Sequence, residues 1–372
     1  MFYPDPNYFD YSATSPPYEE ALESLKEVSL KYFGNPSSSH RPGQESKRFL
    51  MELKEQFCKL LNFRDGRVLL CSSGTEANNT IIEGHLKTNP NGRILLAENV
   101  HDSMWFAIDK FKKSVDILKI DNNGIINLNL LKEKLSGTVS LVCINHVCNE
   151  TGAIQDLQQI SGFCLSRNIK LLVDGVQAVG HIPVDMEEIR SDYYSFSAHK
   201  FGGPRSLGGL LIRDDSFEPL MFGGKQEWNL RAGTENLGGL AAAIVALDKS
   251  LLAVKDEIKR LNVLKTIIIN NLKSQIPDII INGSGNGKPG FVSVSFPGFA
   301  GNEIVSALSV EGFSVSTGSA CHDNLVKPSR IILALGRTER EAKGTVRISM
   351  GRGSTTESVD NICKVICDFI LD

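Results

Sequence analysis

Short apolar segments recur along the first two thirds of this chain, and helical patterns lie between several of them. Seven of these segments have the length and composition of β-strands: residues 67–71, 93–97, 115–120, 140–145, 169–174, 193–196 and 209–213. Helical patterns over residues 45–61 and 157–167 separate some of the strands. This alternation of strands with helical crossovers predicts an α/β fold with a mainly parallel sheet whose two faces are covered by helices.

A second domain is predicted beyond the last of these strands. A long helical pattern over residues 238–271 leads away from the sheet, and residues 291–296 alternate as a strand does. The chain has 372 residues, which is enough for two domains and a sizeable core.

The composition argues against several classes of partner. A formal net charge of −3 gives no electrostatic reason to expect direct nucleic-acid or membrane binding. The first residues lack the basic and then apolar run of a signal peptide, and the apolar stretch 240–247 is far too short to span a membrane. The eight cysteines form no C-x-x-C pair. We therefore expect reduced thiols, no metal site and a cytoplasmic location.

One lysine lies among small and hydroxylic residues directly after a predicted strand. The segment 197–204 reads Ser-Ala-His-Lys-Phe-Gly-Gly-Pro and contains Lys200. A lysine in this setting can form a Schiff base with an aldehyde cofactor whose phosphate is held by the neighbouring hydroxyl and N–H groups. Taken alone, the segment also fits an ordinary solvated loop lysine.

An aspartate ends the preceding predicted strand. Asp174 closes the buried segment 169–174. A carboxylate opposite the lysine would keep the ring nitrogen of pyridoxal phosphate (PLP) protonated, which makes the ring an electron sink. The alternative is that Asp174 only caps the helix that follows. The pairing of a strand-terminal aspartate with a strand-terminal lysine is more specific than either residue alone.

Two glycine-containing segments lead to different interpretations. Residues 73–75 follow a strand and open a helix, and free N–H groups at a helix N-terminus suit a phosphate. Taken alone, the segment is better explained as an ordinary N-cap. Residues 283–288 contain neither a complete G-x-G-x-x-G pattern nor a Walker pattern, so we interpret them as a surface turn.

The chain resembles the cysteine desulfurases of the NifS and IscS type, which are class V enzymes of PLP fold type I. Seven motifs carry the resemblance in the same order: residues 8–14, 33–38, 72–79, 146–152, 231–234, 317–321 and 346–349. It implies a large α/β domain with a mainly parallel seven-stranded sheet, residues 13–253. It also implies a smaller α+β domain, residues 1–12 and 254–372, that carries the catalytic cysteine loop.

The resemblance assigns residues to the phosphate of the cofactor. Gly74, Thr75, Ser197 and His199 would hold it within one subunit. Thr234 would reach it from the partner subunit, so a homodimer is expected.

The ring of the cofactor has its own predicted contacts. His101 would stack on the ring and shuttle protons, and Asp174 would pair with the ring nitrogen. Asn149 and Gln177 would bind the phenolic oxygen, and Lys200 would form the covalent link.

The substrate implied by the resemblance is L-cysteine. Arg347, with Asn149 beside it, would clamp the substrate carboxylate, and an exposed strand arginine in a salt bridge is the structural alternative. Cys321 would take the sulfur as a persulfide, because its segment of small polar residues suits a thiol that has to move. The pair Cys363 and Cys367 fits the core or a partner-facing stripe of the C-terminal helix.

The sequence departs from the family pattern at several positions. Gly74 replaces the commoner alanine, Cys148 an asparagine, and residues 175–176 an alanine-threonine pair. From the resemblance we expect no C-terminal tail of the kind that housekeeping members extend toward the iron–sulfur scaffold protein. The length of the cysteine loop favours direct transfer to an acceptor protein, either an iron–sulfur scaffold or a tRNA thiolation carrier.

Three other functions use much of the same set of residues. A selenocysteine lyase would act on a heavier chalcogen, and a class V aminotransferase would need no cysteine at position 321. A non-catalytic sulfur-relay or scaffold partner that has lost PLP is disfavoured because Lys200, Asp174 and His101 are all present.

Overall fold

A seven-stranded sheet forms the centre of the molecule in a computed structural model that describes residues 4–108, 114–135, 137–318 and 327–371. Its strands are β1 (Arg67–Cys71), β2 (Arg93–Ala97), β3 (Val115–Leu118), β4 (Val139–Asn145), β5 (Lys170–Asp174), β6 (Tyr193–Ser197) and β7 (Gly208–Ile212). Their order is β1-β7-β6-β5-β4-β2-β3, and only β7 runs antiparallel to its neighbours. The predicted α/β fold with a mainly parallel seven-stranded sheet is confirmed.

Helices cover this sheet. Those before its last strand are α1 (Glu19–Lys31), α2 (Arg41–Leu60), α3 (Gly74–Thr88), α4 (Asp102–Trp105), α5 (Leu128–Lys134), α6 (Leu157–Ser166) and α7 (Met186–Ile189). Strands β5 and β6 bury almost every residue. Successive side chains of a strand point to opposite faces, so such strands require cover on both sides, and this explains their continuous apolar runs.

A smaller antiparallel sheet with its own core follows. Helix α8 (Leu237–Gln275) leads to β8 (Ile280–Asn282), β9 (Phe291–Ser295) and β10 (Thr345–Ser349), in the order β10-β9-β8. The remaining helices are α9 (Gly301–Val310), α10 (Arg330–Ala334), α11 (Glu339–Lys343) and α12 (Thr356–Leu371). A separate apolar cluster includes Ile268, Val292, Val346 and Ile362. The predicted domain boundaries, 13–253 against 1–12 with 254–372, stay a prediction.

Helix α8 is longer and more apolar than the sequence pattern indicated. Its 39 residues include an 18-residue window with a mean hydropathy of 1.8, so by length and composition alone it could cross a membrane. Two thirds of that window, 67%, is buried inside the molecule, where Leu240, Ile244 and Leu247 join the main core. A core helix of a globular protein accounts for this pattern.

The carboxyl ends of several strands meet at one edge of the larger sheet. Strand β5 ends at Asp174, and β6 ends at Ser197, which a short 3-10 turn connects to Lys200. The ends of β1 and β2 lead to the N-caps of α3 and α4, which are Ser73 and His101. In open α/β sheets this edge is where ligands bind.

A buried ion pair anchors a strained segment next to β1. Lys54 Nζ lies 2.6 Å from Glu227 Oε1 and 4.1 Å from the ring centre of Trp228. Glu227, Trp228 and Asn229 all have left-handed backbone angles, with φ of 46°, 56° and 67°. Such backbone persists only where its surroundings hold it. Burial lowers the pKa of Lys54 and raises that of Glu227.

We expect Lys54→Met to lower the free energy of unfolding in urea by about 3 kcal/mol, because it leaves a buried carboxylate without its partner. The control is Arg41→Met, which breaks an exposed pair with Glu45 on α2 and is expected to cause no measurable change. Equal effects of the two substitutions would show that the buried pair does not anchor the segment.

Candidate active site

A cavity of about 380 Å³ opens at the carboxyl edge of the larger sheet. Ten residues predicted to contact cofactor or substrate line it: Gly74, Thr75, His101, Asn149, Asp174, Gln177, Ser197, His199, Lys200 and Arg347. Thr234 does not; it lines a separate cavity of about 160 Å³ with Ser72 and Arg231. Cys321 lies outside the described residues, whereas Ser316 and Gly318, shortly before it, line the main cavity.

Lys200 is held by the N-terminal segment of the chain. Its Nζ donates to the carbonyl oxygens of Ser12 at 2.6 Å and Ala13 at 2.8 Å. Burial, with the Arg347 guanidinium as a second cause, lowers the pKa of Lys200 to about 8. The lysine is therefore partly neutral near pH 7, and a neutral amine is the form that attacks an aldehyde.

Asp174 is a buried carboxylate with two donors. Its Oδ2 accepts from Asn78 Nδ2 at 2.9 Å, and its Oδ1 accepts from the Val176 N–H at 3.0 Å. The Asn78 amide also donates to Ser103 Oγ at 2.9 Å. These donors fix the direction of the carboxylate beside the cavity. Turns, and no helix, directly follow Asp174, so the alternative that it only caps a following helix is wrong.

One ring nitrogen of His101, Nδ1, accepts a hydrogen bond from the backbone. Its Nδ1 accepts from the backbone N–H of Ser103 at 3.0 Å, at the start of α4. Burial lowers the pKa of His101, so the imidazole is mainly neutral at pH 7. Because Nδ1 is an acceptor, the neutral ring carries its proton on Nε2.

The N-terminus of α3 faces the cavity. The Ser73 hydroxyl accepts from the Glu76 N–H at 3.2 Å, which leaves the backbone amides of Gly74 and Thr75 at the start of a 15-residue helix. Ser197 lies nearby and is buried. His199 Nδ1 lies 3.1 Å from Thr14 Oγ1, and burial lowers the pKa of His199 to about 4. The group is rich in donors and suits an anion.

Arg347 enters the cavity from the smaller sheet. Its Nη2 lies 2.7 Å from Asp10 Oδ1, and its Nη1 donates to the Asn149 carbonyl oxygen at 3.0 Å. Arg347 is buried, which excludes the alternative of an exposed strand arginine. Its Nε and the Asn149 Oδ1 are buried and have no partner among the described residues. A ligand with an acceptor for Nε and a donor for Oδ1 would satisfy both atoms.

Four polar residues at the site were not singled out from the sequence. Ser12 and Asn78 hold Lys200 and Asp174, and Glu150 is buried beside Ser329, whose hydroxyl donates to it. Lys288 donates from Nζ to Gln177 Oε1 at 2.9 Å.

The interpretation of residues 283–288 as a surface turn is wrong at Lys288, which is only 6% exposed. A long aliphatic chain lets a lysine at the end of a turn reach inward.

Two glycines that depart from the family pattern, Gly74 and Gly175, lie against bulky neighbours. A Cβ on Gly74 would lie 2.5 Å from a methyl carbon of Val176, and a Cβ on Gly175 would collide with the ring of Tyr194. The Tyr194 hydroxyl in turn lies 2.8 Å from His146 Nδ1. Glycine at position 74 therefore leaves room for the Val176 side chain, and glycine at position 175 leaves room for the Tyr194 ring.

Comparisons with known proteins agree with this geometry. The family model for aminotransferase class-V matches residues 7–362. Cysteine desulfurase IscS of Dictyoglomus turgidum is 34% identical over 366 residues, covering 96% of this chain and 93% of that protein. Cysteine desulfurase IscS 1 of Archaeoglobus fulgidus is 32% identical, with 96% and 95% covered. This chain belongs to the class-V aminotransferase family, and within it to the group of the IscS and NifS cysteine desulfurases.

Solved structures give the same result. A NifS-like protein superposes with a TM-score of 0.89 at 28% identity, covering 98% of this chain and 99% of that one. The apo structure of a cysteine desulfurase from Thermococcus onnurineus has a TM-score of 0.84 at 22% identity, covering 98% and 94%, and supports the fold. The predicted membership of the NifS and IscS group is confirmed.

Proposed function

We propose that this protein is a PLP-dependent cysteine desulfurase that removes sulfur from L-cysteine and yields L-alanine. The observation that carries the proposal is the convergence of Lys200, Asp174 and the N-terminus of α3 on one cavity. These are an amine, a carboxylate and a set of free N–H groups. They match the aldehyde, the ring nitrogen and the phosphate of PLP.

The residues present fit the cofactor. Asn149 Oδ1 is buried at the cavity and has no partner among the described residues, so a ligand group that donates a hydrogen bond would satisfy it. Gly74, Thr75, Ser197 and His199 would hold the phosphate, and His101 the ring. When bound, PLP supplies an electron sink for the carbon that carries the substrate amino group.

The side chains of this chain then have defined tasks. Lys200 would hold the cofactor aldehyde and, once free, accept the Cα proton of the substrate. Asp174, fixed by Asn78, would keep the ring nitrogen protonated. Arg347 would bind the substrate carboxylate with the guanidinium it already shares with Asp10, and so would orient the substrate.

Cys321 is the proposed sulfur acceptor. Its thiolate would attack the substrate sulfur; the new S–S bond leaves a persulfide on the enzyme, and the electron pair of the broken C–S bond remains with the carbon that becomes alanine. Burial raises the pKa of every other cysteine: Cys58, Cys71, Cys143, Cys148, Cys164, Cys363 and Cys367. A buried thiol with a raised pKa is a poor nucleophile. This supports Cys321 as the reactive one.

We also propose that the active unit is a homodimer. Thr234 lies away from the lysine cavity of its own chain. The segment before it exposes Phe222 by 73% and Met221 by 44%, which favours contact with another chain. Thr234 of the partner subunit would complete the phosphate site.

The persulfide would pass to an acceptor protein, either an iron–sulfur scaffold or a tRNA thiolation carrier, in the cytoplasm.

The direct test is alanine production by the purified protein. With L-cysteine and a reductant, we expect alanine and sulfide in equal amounts. Preference for selenocysteine would identify a lyase for that substrate, and transfer of the amino group to a keto acid without sulfide would identify an aminotransferase. A protein that binds no PLP and forms no alanine would contradict the proposal.

The lowered pKa of Lys200 leads to a pH prediction. Only the neutral amine attacks the aldehyde, so the rate of PLP uptake by the apoprotein should rise with pH and level off above about 8. An ordinary lysine would give a midpoint of about 10.4. The measurement is the initial rate of growth of the visible absorption band between pH 6 and 10.5. A midpoint near that of free lysine would contradict the burial argument.

A further inference from the structure

Lys288 reaches the site from the smaller sheet. It lies in the turn between β8 and β9, where its backbone N–H donates to the Gly152 carbonyl oxygen at 2.7 Å. Its side chain runs inward and is buried. In the described part of the chain its Nζ bonds to an amide, that of Gln177, and not to a carboxylate. Burying a lysine without a carboxylate partner is costly, so the contact requires an explanation.

The two lysines of the site are linked through Gln177 and Ser12. Lys288 Nζ donates to Gln177 Oε1 at 2.9 Å, and Gln177 Nε2 donates to the Ser12 carbonyl oxygen at 2.9 Å. The same carbonyl oxygen accepts from Lys200 Nζ at 2.6 Å. A carboxamide has one acceptor end and one donor end. The donor at position 288 and the acceptor at Ser12 therefore together fix the direction of the Gln177 amide.

The surroundings of Lys288 carry more positive than negative charge. A second cavity of about 70 Å³, which Lys288 itself lines, is also lined by Lys200, Arg352 and Glu257. Burial lowers the pKa of Lys288 well below its ordinary range, and the charges of Lys200 and Arg347 act in the same direction. Nζ carries N–H groups in either protonation state, so the contact with Gln177 persists.

We propose that Lys288 is a positioning residue that holds the Gln177 amide with its nitrogen toward Ser12 and the cofactor. The inference rests on the proposed function, in which Gln177 donates to the phenolic oxygen of PLP. Without Lys288 the buried Gln177 Oε1 has no donor among the described residues, and only the Ser12 carbonyl oxygen still holds the amide nitrogen. Lys288, in the turn between β8 and β9 of the smaller sheet, thus orients the side-chain amide of Gln177, which follows β5 of the larger sheet.

The test replaces the lysine with an uncharged side chain of similar length. We expect Lys288→Met to raise the Kd of the apoprotein for PLP about tenfold, as for the loss of one buried hydrogen bond. We also expect the pH midpoint of the visible band of the loaded protein to rise. A phenolic oxygen that has lost its donor holds the neighbouring proton more tightly.

The matched control is Lys265→Met. Lys265 is also a buried lysine near this turn, and its Nζ donates to the Gly285 carbonyl oxygen at 3.2 Å, away from Gln177. It should leave both the Kd and the midpoint unchanged. In a Gln177→Ala background, Lys288→Met should add nothing, because both substitutions remove the same contact.

The experiment distinguishes failure of the proposed function from failure of the positioning role of Lys288. If the wild-type protein binds no PLP, the proposed function fails first. If the wild-type protein binds PLP but Lys288→Met alters neither the Kd nor the midpoint, the positioning role is wrong. A full shift that persists in the Gln177→Ala background would overturn it as well, since Lys288 would then act by its charge alone.

Discussion

Lys200→Ala protein is expected to lose all borohydride-trappable cofactor and to form alanine from L-cysteine at least about a thousandfold more slowly than the wild type. The substitution removes both the amine that would hold the cofactor and the base that would accept the Cα proton. Ser12 and Ala13 lose only a partner for their carbonyl oxygens at the cavity wall. The fold should therefore survive, and circular dichroism checks this.

The control for this experiment is Lys119→Ala. The Lys119 side chain is 67% exposed and pairs with Glu98 away from Lys200. It should keep both the visible absorption band and the rate. Normal alanine production by Lys200→Ala would show that another amine performs the reaction.

Cys321→Ala protein is expected to keep its colour but to form alanine at least about a hundredfold more slowly. Cys321 is not among the predicted contacts of the cofactor, so PLP should bind with unchanged affinity. The sulfur of the substrate would have no acceptor, and the C–S bond would stay intact. Alanine formation and mass spectrometry of the persulfide on the intact protein measure the loss.

Cys367→Ala is the matched control for the cysteine. Cys367 lies on α12, is buried in the smaller core, and has a pKa that burial raises. Its replacement should change neither alanine formation nor the persulfide signal. If Cys321→Ala keeps the normal rate while Cys367→Ala loses it, the acceptor has been assigned to the wrong residue.

The strand ends of the site could be predicted from the sequence because they depend on local pattern. The apolar segment 169–174 places Asp174 at a strand end, and 193–196 places Lys200 just after one. The structure brings the two residues to one cavity, since parallel strands end at the same edge. The roles of His101, Asn149 and Thr234 came from family resemblance, because single polar residues in loops carry no distinctive pattern.

The contacts between the two sheets could not be predicted. Lys288 and Gln177 are 111 positions apart, and Arg347 and Asp10 are 337 apart. Neither pair has a local signal, because tertiary packing alone brings them together. The turn at 283–288 looked solvated because its glycines, serine and asparagine are typical of surfaces, and nothing in it shows which way the lysine points.

The position of the covalent link tests the account most directly. The protein is incubated with PLP, reduced with borohydride, digested and sequenced by mass spectrometry. We predict a phosphopyridoxyl group on Lys200 and an unmodified Lys288. The same group on any other lysine, or on none, would contradict the proposed site.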